Sequence, residues 1–284
     1  MLEDYEFALC LTHDVDRVYK TFQSPFYAVR DRDPSHLRSL VSSEQPYWQF
    51  EEIMELEEEL GVRSSFYFLT EKDLFRDKGP RDWVKPKNWK LFAGRYDITN
   101  EELVDVIRSL DQGGWEVGLH GSYESYTDPE RLQYEKETLE DIVGHEITGG
   151  RQHYLNLNEP ETWEYHRKIG LQYDASLGST SEFGFQHAHK PVRPFNDEFV
   201  VFPLTAMEVA VMDGGLEVAK KRVERLLEKA VEQHAVITVL WHPRFFNDDE
   251  FPGYRQLYRW LIRNAQKRDA WIGSCEKLYE GYLN

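Results

Sequence analysis

The chain has 284 residues, 40% of them hydrophobic, which is enough for one full core. Its net charge is −17, from 51 acids against 34 bases, and such a surface repels nucleic acid and anionic membrane. The 2 cysteines make neither a disulfide framework nor a zinc cluster.

The first stretch is acidic and lacks a positive segment followed by an apolar one. No run reaches the roughly 18 apolar residues of a membrane span. The expectation is a cytoplasmic protein with neither signal peptide nor span. Residues 7–11 then form a continuous apolar run, which reads as a strand buried on both faces. Thr12-His13-Asp14-Val15-Asp16 follows at its carboxyl end, where open α/β sheets and α/β barrels place their sites. Side chains i and i+2 of an extended chain point the same way, so Asp14 and Asp16 face one spot. Two close carboxylates share a proton or hold a cation. His13 points the other way and reads as packed.

Residues 17–45, with Pro25 and Pro34, read as an irregular excursion. Residues 46–60 carry a helical pattern that Gly61 ends, and 64–70 are a second strand. Residues 71–98, with Pro80, Pro86, Trp83 and Trp89, read as a long loop. A helix over 99–113 precedes a third strand, 115–120, that ends in His120. Asp128-Pro129 opens a helix to 143, and a short strand over 147–151 ends in Arg151, with His153 two residues on. A helix over 161–169 leads to a strand end at Asp174 and a loop through 195. Strands are expected at 200–204 and 208–212, a long helix at 216–233 and a core strand at 235–241, ended by His242. A helix over 250–267, a short strand at 271–272 and a last helix complete the chain.

Strand and helix alternate throughout, which argues for parallel βα units. About six or seven such units are visible, short of a closed eight-fold barrel. The expectation is one domain over 1–284, α/β in class, built as an incomplete (β/α) barrel. If its strands are parallel neighbours, Asp14, Asp16, His120, Arg151, His153, Asp174 and His242 converge on one mouth. His36, His145, His166 and His234 read as surface groups, and His187 and His189 as loop residues. Aromatics make up 14%; Trp83 and Trp89 suit sugar stacking, while Trp163 and Trp241 read as core.

In this order the motifs resemble the polysaccharide deacetylases, also called the NodB-homology or carbohydrate esterase 4 group. Thr12-His13-Asp14-Val15-Asp16 is similar to that family's first motif, a strand followed by two acids. Gly118-Leu119-His120-Gly121-Ser122-Tyr123-Glu124 supplies the first His of its second motif and has Glu124 where a second His would fall. Arg151-Gln152-His153-Tyr154, Asp174 and Leu240-Trp241-His242 match the remaining three. The resemblance covers about residues 7–245 and implies a barrel of the NodB-homology type.

It also implies a divalent metal, Zn with Fe, Co or Mn as alternatives, held by Asp16, His120 and a third ligand. His153 is the expected third ligand, with Glu124 as the alternative. By the same resemblance Asp14 is the general base, oriented by Arg151. His242 is the general acid, tuned by Asp174, and the backbone N–H of Tyr154 is an oxyanion partner. The implied activity is removal of an N-acetyl group from a sugar or a nucleotide- or lipid-linked surface-glycan precursor. The alternatives are hydrolysis of another C–N amide, as in allantoinase-like relatives, and a carbohydrate-binding barrel without activity. The sequence leaves the oligomeric state open.

Overall fold

The computed structural model describes residues 4–21, 23–30, 32, 45–71 and 73–283. Pro34 and His36 therefore lie outside the described residues. In chain order the elements are β1 (Phe7–Val15), α1 (Gln23–Arg30), α2 (Phe50–Leu60), β2 (Ser65–Leu69), α3 (Leu74–Asp77), α4 (Pro80–Trp83), α5 (Pro86–Phe92), α6 (Glu101–Gln112), β3 (Glu116–Gly121) and α7 (Pro129–Val143). They continue with β4 (Gly149–Gln152), α8 (Glu161–Lys168), β5 (Tyr173–Asp174), β6 (Val200–Val201), β7 (Ala206–Met207), α9 (Glu208–Met212), α10 (Leu216–Gln233), β8 (Val236–Leu240), α11 (Tyr254–Gln266), β9 (Ala270–Gly273) and α12 (Cys275–Leu283).

The strands form one parallel sheet in the order β6-β5-β4-β3-β2-β1-β8-β7, with β9 added against β1. β2 pairs the carboxyl half of β1 and β9 its amino half, so the sheet forks there. Among the described residues no ladder joins β6 to β7, and the barrel is incomplete.

All nine residues of β1 are buried, and the pleat divides them between two environments. Phe7, Leu9, Leu11 and Val15 pack with Ile53, Leu56, Ile107, Leu227 and Leu261 of the surrounding helices. Ala8 and Cys10 pack inside the curl with Tyr67, Tyr173, Phe202, Cys275 and Leu278. Thr12, Asp14 and Asp16 continue that inner row toward the carboxyl ends of the strands. Gly118 permits the crowding inside the curl: a Cβ there would stand 2.6 Å from the Tyr67 ring. Helix boundaries follow local chemistry. Asn100 and Asp128 accept hydrogen bonds from Glu102 N and Arg131 N at the starts of α6 and α7, and Gly61 ends α2 at φ 69°.

Three expectations are corrected. Residues 71–98 are not a structureless loop but hold the short helices α3, α4 and α5. Residues 208–212 form α9 rather than a strand; a short apolar run fits either, and here Arg222 Nη1 caps the turn by donating to the Ala210 and Val211 carbonyls at 3.2 and 3.0 Å. The expected strand at 200–204 is confined to Val200–Val201. No helix among the described residues is long and apolar enough to cross a membrane.

Candidate metal-dependent active site

β1, β3, β4 and β8 deliver the site residues to one end of the sheet. β1 extends to Val15, so Asp14 lies within it and Asp16 just beyond. His120 lies on β3, paired with Arg151 of β4, and His153 opens a tight turn after β4. That turn is sharp, with Tyr154 at φ 61° and Leu155 at φ 56°. His242 follows β8.

Asp16, His120 and His153 each offer a ligand atom, and these atoms lie within 4.8 Å of one another. Asp16 Oδ1 is 3.2 Å from His120 Nε2 and 3.4 Å from His153 Nε2. The far nitrogens decide what kind of site this is. His120 Nδ1 is 2.9 Å from the Arg151 carbonyl oxygen, an acceptor, so Nδ1 carries the proton. His153 Nδ1 has a donor, Arg95 Nη2, at 3.4 Å and an acceptor, Glu71 Oε2, at 3.7 Å, so its neighbours do not select a tautomer. Burial first, with the Arg95 charge opposing its carboxylate neighbours, lowers the His153 pKa to about 4, which leaves it neutral near pH 7. Two imidazoles and a carboxylate oxygen therefore converge on one point. That donor set fits a divalent cation, as two His and one carboxylate with a position open for water. Burial alone would raise the Asp16 carboxyl, but His153, His120 and His242 around it hold it well below the usual range.

Asp14 lies beside this cluster. Its Oδ1 accepts from Arg151 Nη1 at 2.8 Å, and its Oδ2 is 3.8 Å from His120 Nε2. Arg151 is fixed in turn by bonds from Nε to the Ala175 carbonyl and from Nη1 to Thr12 Oγ1, both 2.7 Å. Burial opposes ionisation of Asp14, and Arg151, His120 and His242 outweigh it, so its pKa is lowered. On the far side, His242 Nε2 is 3.4 Å from Asp16 Oδ2. A cavity of about 170 Å³ lies between these groups, lined by Asp14, Asp16, His153, Tyr154, His242 and Arg244 among others.

The expected link between Asp174 and His242 is corrected. Asp174 is fully buried, and its oxygens accept from Trp163 Nε1, Ser176 N and Ser176 Oγ at 3.1, 2.9 and 2.5 Å. Its imidazole neighbour is His166, with Nδ1 at 3.4 Å. His166 is itself 1% exposed, not a surface group. The carboxylate on His242 belongs to Glu208, whose Oε1 is 2.8 Å from His242 Nδ1. Burial would lower the His242 pKa, as would Arg244; Glu208, helped by Asp16, raises it to about 9.

Glu124 is half exposed and paired with Lys78 at 3.1 Å and Arg131 at 3.4 Å, away from the ligand cluster. His13 is packed as expected, between the Trp241 carbonyl at 2.6 Å and Glu57 at 3.1 Å. Trp163 and Trp241 are buried.

Sequence reasoning missed Glu208, Glu71, Arg95 and Arg244. Glu71 directly follows the strand expected over 64–70, and Arg244 lies two residues beyond His242, which is the signal that would have raised them. Glu208 was hidden by the reading of 208–212 as a strand, and Arg95 by the reading of 71–98 as a loop.

No protein-family model matches the chain, and no curated protein matches it. Solved structures do. A protein assigned as a polysaccharide deacetylase from Mycobacterium smegmatis shares 17% identity at a TM-score of 0.64, over 98% of this chain and 90% of that one. A probable polysaccharide deacetylase from Pseudomonas aeruginosa PAO1 shares 13% at 0.64, over 99% and 92%. PuuE allantoinase shares 11% at 0.62, over 98% and 90%. These likenesses show a common fold: the chain has the incomplete (β/α) barrel of NodB type.

Proposed function

We propose that this protein is a metal-dependent hydrolase that removes the N-acetyl group from a sugar or surface-glycan precursor. The observation that carries this reading is the convergence of Asp16, His120 and His153, with Asp14 on one side and His242 on the other. A divalent cation held by the three ligands supplies Lewis acidity, making a water acidic near neutral pH and polarising the acyl oxygen.

The protein's own groups then have distinct tasks. Arg151 holds Asp14 ionised and leaves its Oδ2 facing the ligand cluster, placed to take a proton from the attacking water. Glu208 keeps His242 protonated, placed to give its Nε2 proton to the departing sugar nitrogen. Water adds to the acyl carbon, the C–N bond breaks, and acetate and an amine result. The Arg151 carbonyl holds the His120 imidazole in the tautomer a metal needs.

A cytoplasmic location and a nucleotide- or lipid-linked substrate belong to this proposal. The second reading is hydrolysis of a cyclic ureide or imide, favoured by the likeness to an allantoinase. The test is an activity screen of the metal-loaded protein, before and after chelation, against N-acetylated sugars and against allantoin-type amides. Chelator-sensitive release of acetate is the expected result. Hydrolysis of the ureide alone moves the assignment to the second reading, and no hydrolysis of either removes both.

A further inference from the structure

The charges at the mouth run against the chain that carries them. The protein bears −17 overall, yet two guanidinium groups flank Asp16. Arg95 Nη1 donates to the Asp16 carbonyl oxygen at 2.9 Å, and Arg244 Nη1 lies 3.7 Å from Asp16 Oδ2. The other carboxylates here are already answered, Asp14 by Arg151, Glu208 by His242 and Glu71 by Arg131. Asp16 is the carboxylate that faces Arg244, before any metal ion is counted.

Crowding guanidinium groups is unfavourable unless something negative joins them. Arg244 is placed to meet such a group. Its side chain is 25% exposed, and it lines the cavity beside Tyr154, Thr180 and His242. Among the described residues it is held by Asp16 and by the ring of Phe245, 4.8 Å from its guanidinium, and it makes no hydrogen bond. Its planar fork of donors matches a phosphate or a carboxylate.

We propose that the acylated amino sugar taken by this site carries an anionic group, a phosphate ester or a carboxylate, close to its amide, and that Arg244 receives that group. This rests on the amide-hydrolase reading, but the binding it asserts needs no turnover. The competing account is that Arg244 only balances Asp16, in which case its loss affects neutral and anionic sugars alike.

The experiment measures binding and turnover separately. Binding of glucosamine 1-phosphate, muramic acid and glucosamine is measured by calorimetry on the full chain, with and without chelator. Turnover is measured as kcat/KM for the N-acetylated form of each. The wild type is expected to favour one anionic sugar over the neutral one by about 10- to 100-fold, the worth of one charge-assisted hydrogen bond. The preference should persist in chelator, collapse in Arg244→Gln and return in part in Arg244→Lys. Which anionic probe wins tells phosphate from carboxylate. Equal binding of anionic and neutral sugars overturns the proposal, as does a preference that survives in Arg244→Gln. Hydrolysis of neutral N-acetyl sugars without such a preference overturns it while the amide-hydrolase reading stands. Arg244-dependent anion binding without hydrolysis supports the anion site and overturns that reading instead.

Discussion

Replacing Asp14 by Asn tests the site through stability and activity together. Asp14 is 3% exposed and Arg151 1%, with Oδ1 and Nη1 2.8 Å apart. The substitution keeps the shape and one acceptor oxygen but removes the charge, so a guanidinium stays buried without its counter-ion. Breaking a buried pair from one side costs about 3–5 kcal/mol. Arg151 retains its bonds to Thr12 Oγ1 and the Ala175 carbonyl, which argues for the lower end, about 3 kcal/mol. For a chain of this length that is a fall of about 5 °C in Tm. Activity should fall by about 10²–10⁴ as well, the contribution of a general base. Denaturant unfolding of the wild type, Asp14→Asn, Arg151→Met and the double variant is the assay. The double variant should lose less than the sum of the singles, because no charge is then left unpaired. Strict additivity, or an Asp14→Asn protein with wild-type stability and turnover, refutes the reasoning.

Glu208→Gln should lower kcat at pH 7 by about 10-fold or more, whereas Asp174→Asn should act mainly on the denaturation midpoint; the reverse pattern in kcat and midpoint would return the orienting role to Asp174. His166 gives a pH dependence: burial lowers its folded pKa, with the Asp174 charge opposing that effect, so the unfolded chain binds a proton below about 6.5 that the folded protein does not. Its contribution to stability is therefore complete above about 6.5 and lost as pH falls, at up to about 1.4 kcal/mol per pH unit, and urea midpoints at pH 7.5 and 5.5 should show a shallower loss in His166→Gln than in the wild type.

The strands that carry the site were legible because each is a short, mainly apolar stretch with polar groups at its carboxyl end. β1, β3 and β8 are of this kind, and Asp16, His120 and His242 lie at or just beyond those ends. His153 was legible from its two-residue spacing to Arg151, since the alternation of the pleat carries into the turn that follows β4. Which carboxylate meets which imidazole was not legible. Asp174 ends the short strand β5 and Glu208 follows the short strand β7, and the packing of Trp163, Ser176 and His166 around Asp174 withdraws it from His242. His166 was misjudged for a related reason. Its helix α8 has a modest apolar face, and the residue is buried by Gln152 and Asp174 from two other elements, which local periodicity does not report.

The claim beneath all of this is that Asp16, His120 and His153 hold a divalent ion and that Glu124 does not. Metal content of the purified protein, measured for the wild type, His153→Ala and Glu124→Ala after dialysis against a weak chelator, tests it directly. The account predicts about one equivalent in the wild type and in Glu124→Ala and little in His153→Ala, because catalytic sites of this kind normally use three protein ligands. Loss of metal in Glu124→Ala with retention in His153→Ala would contradict it, and retention in both would place the ion elsewhere.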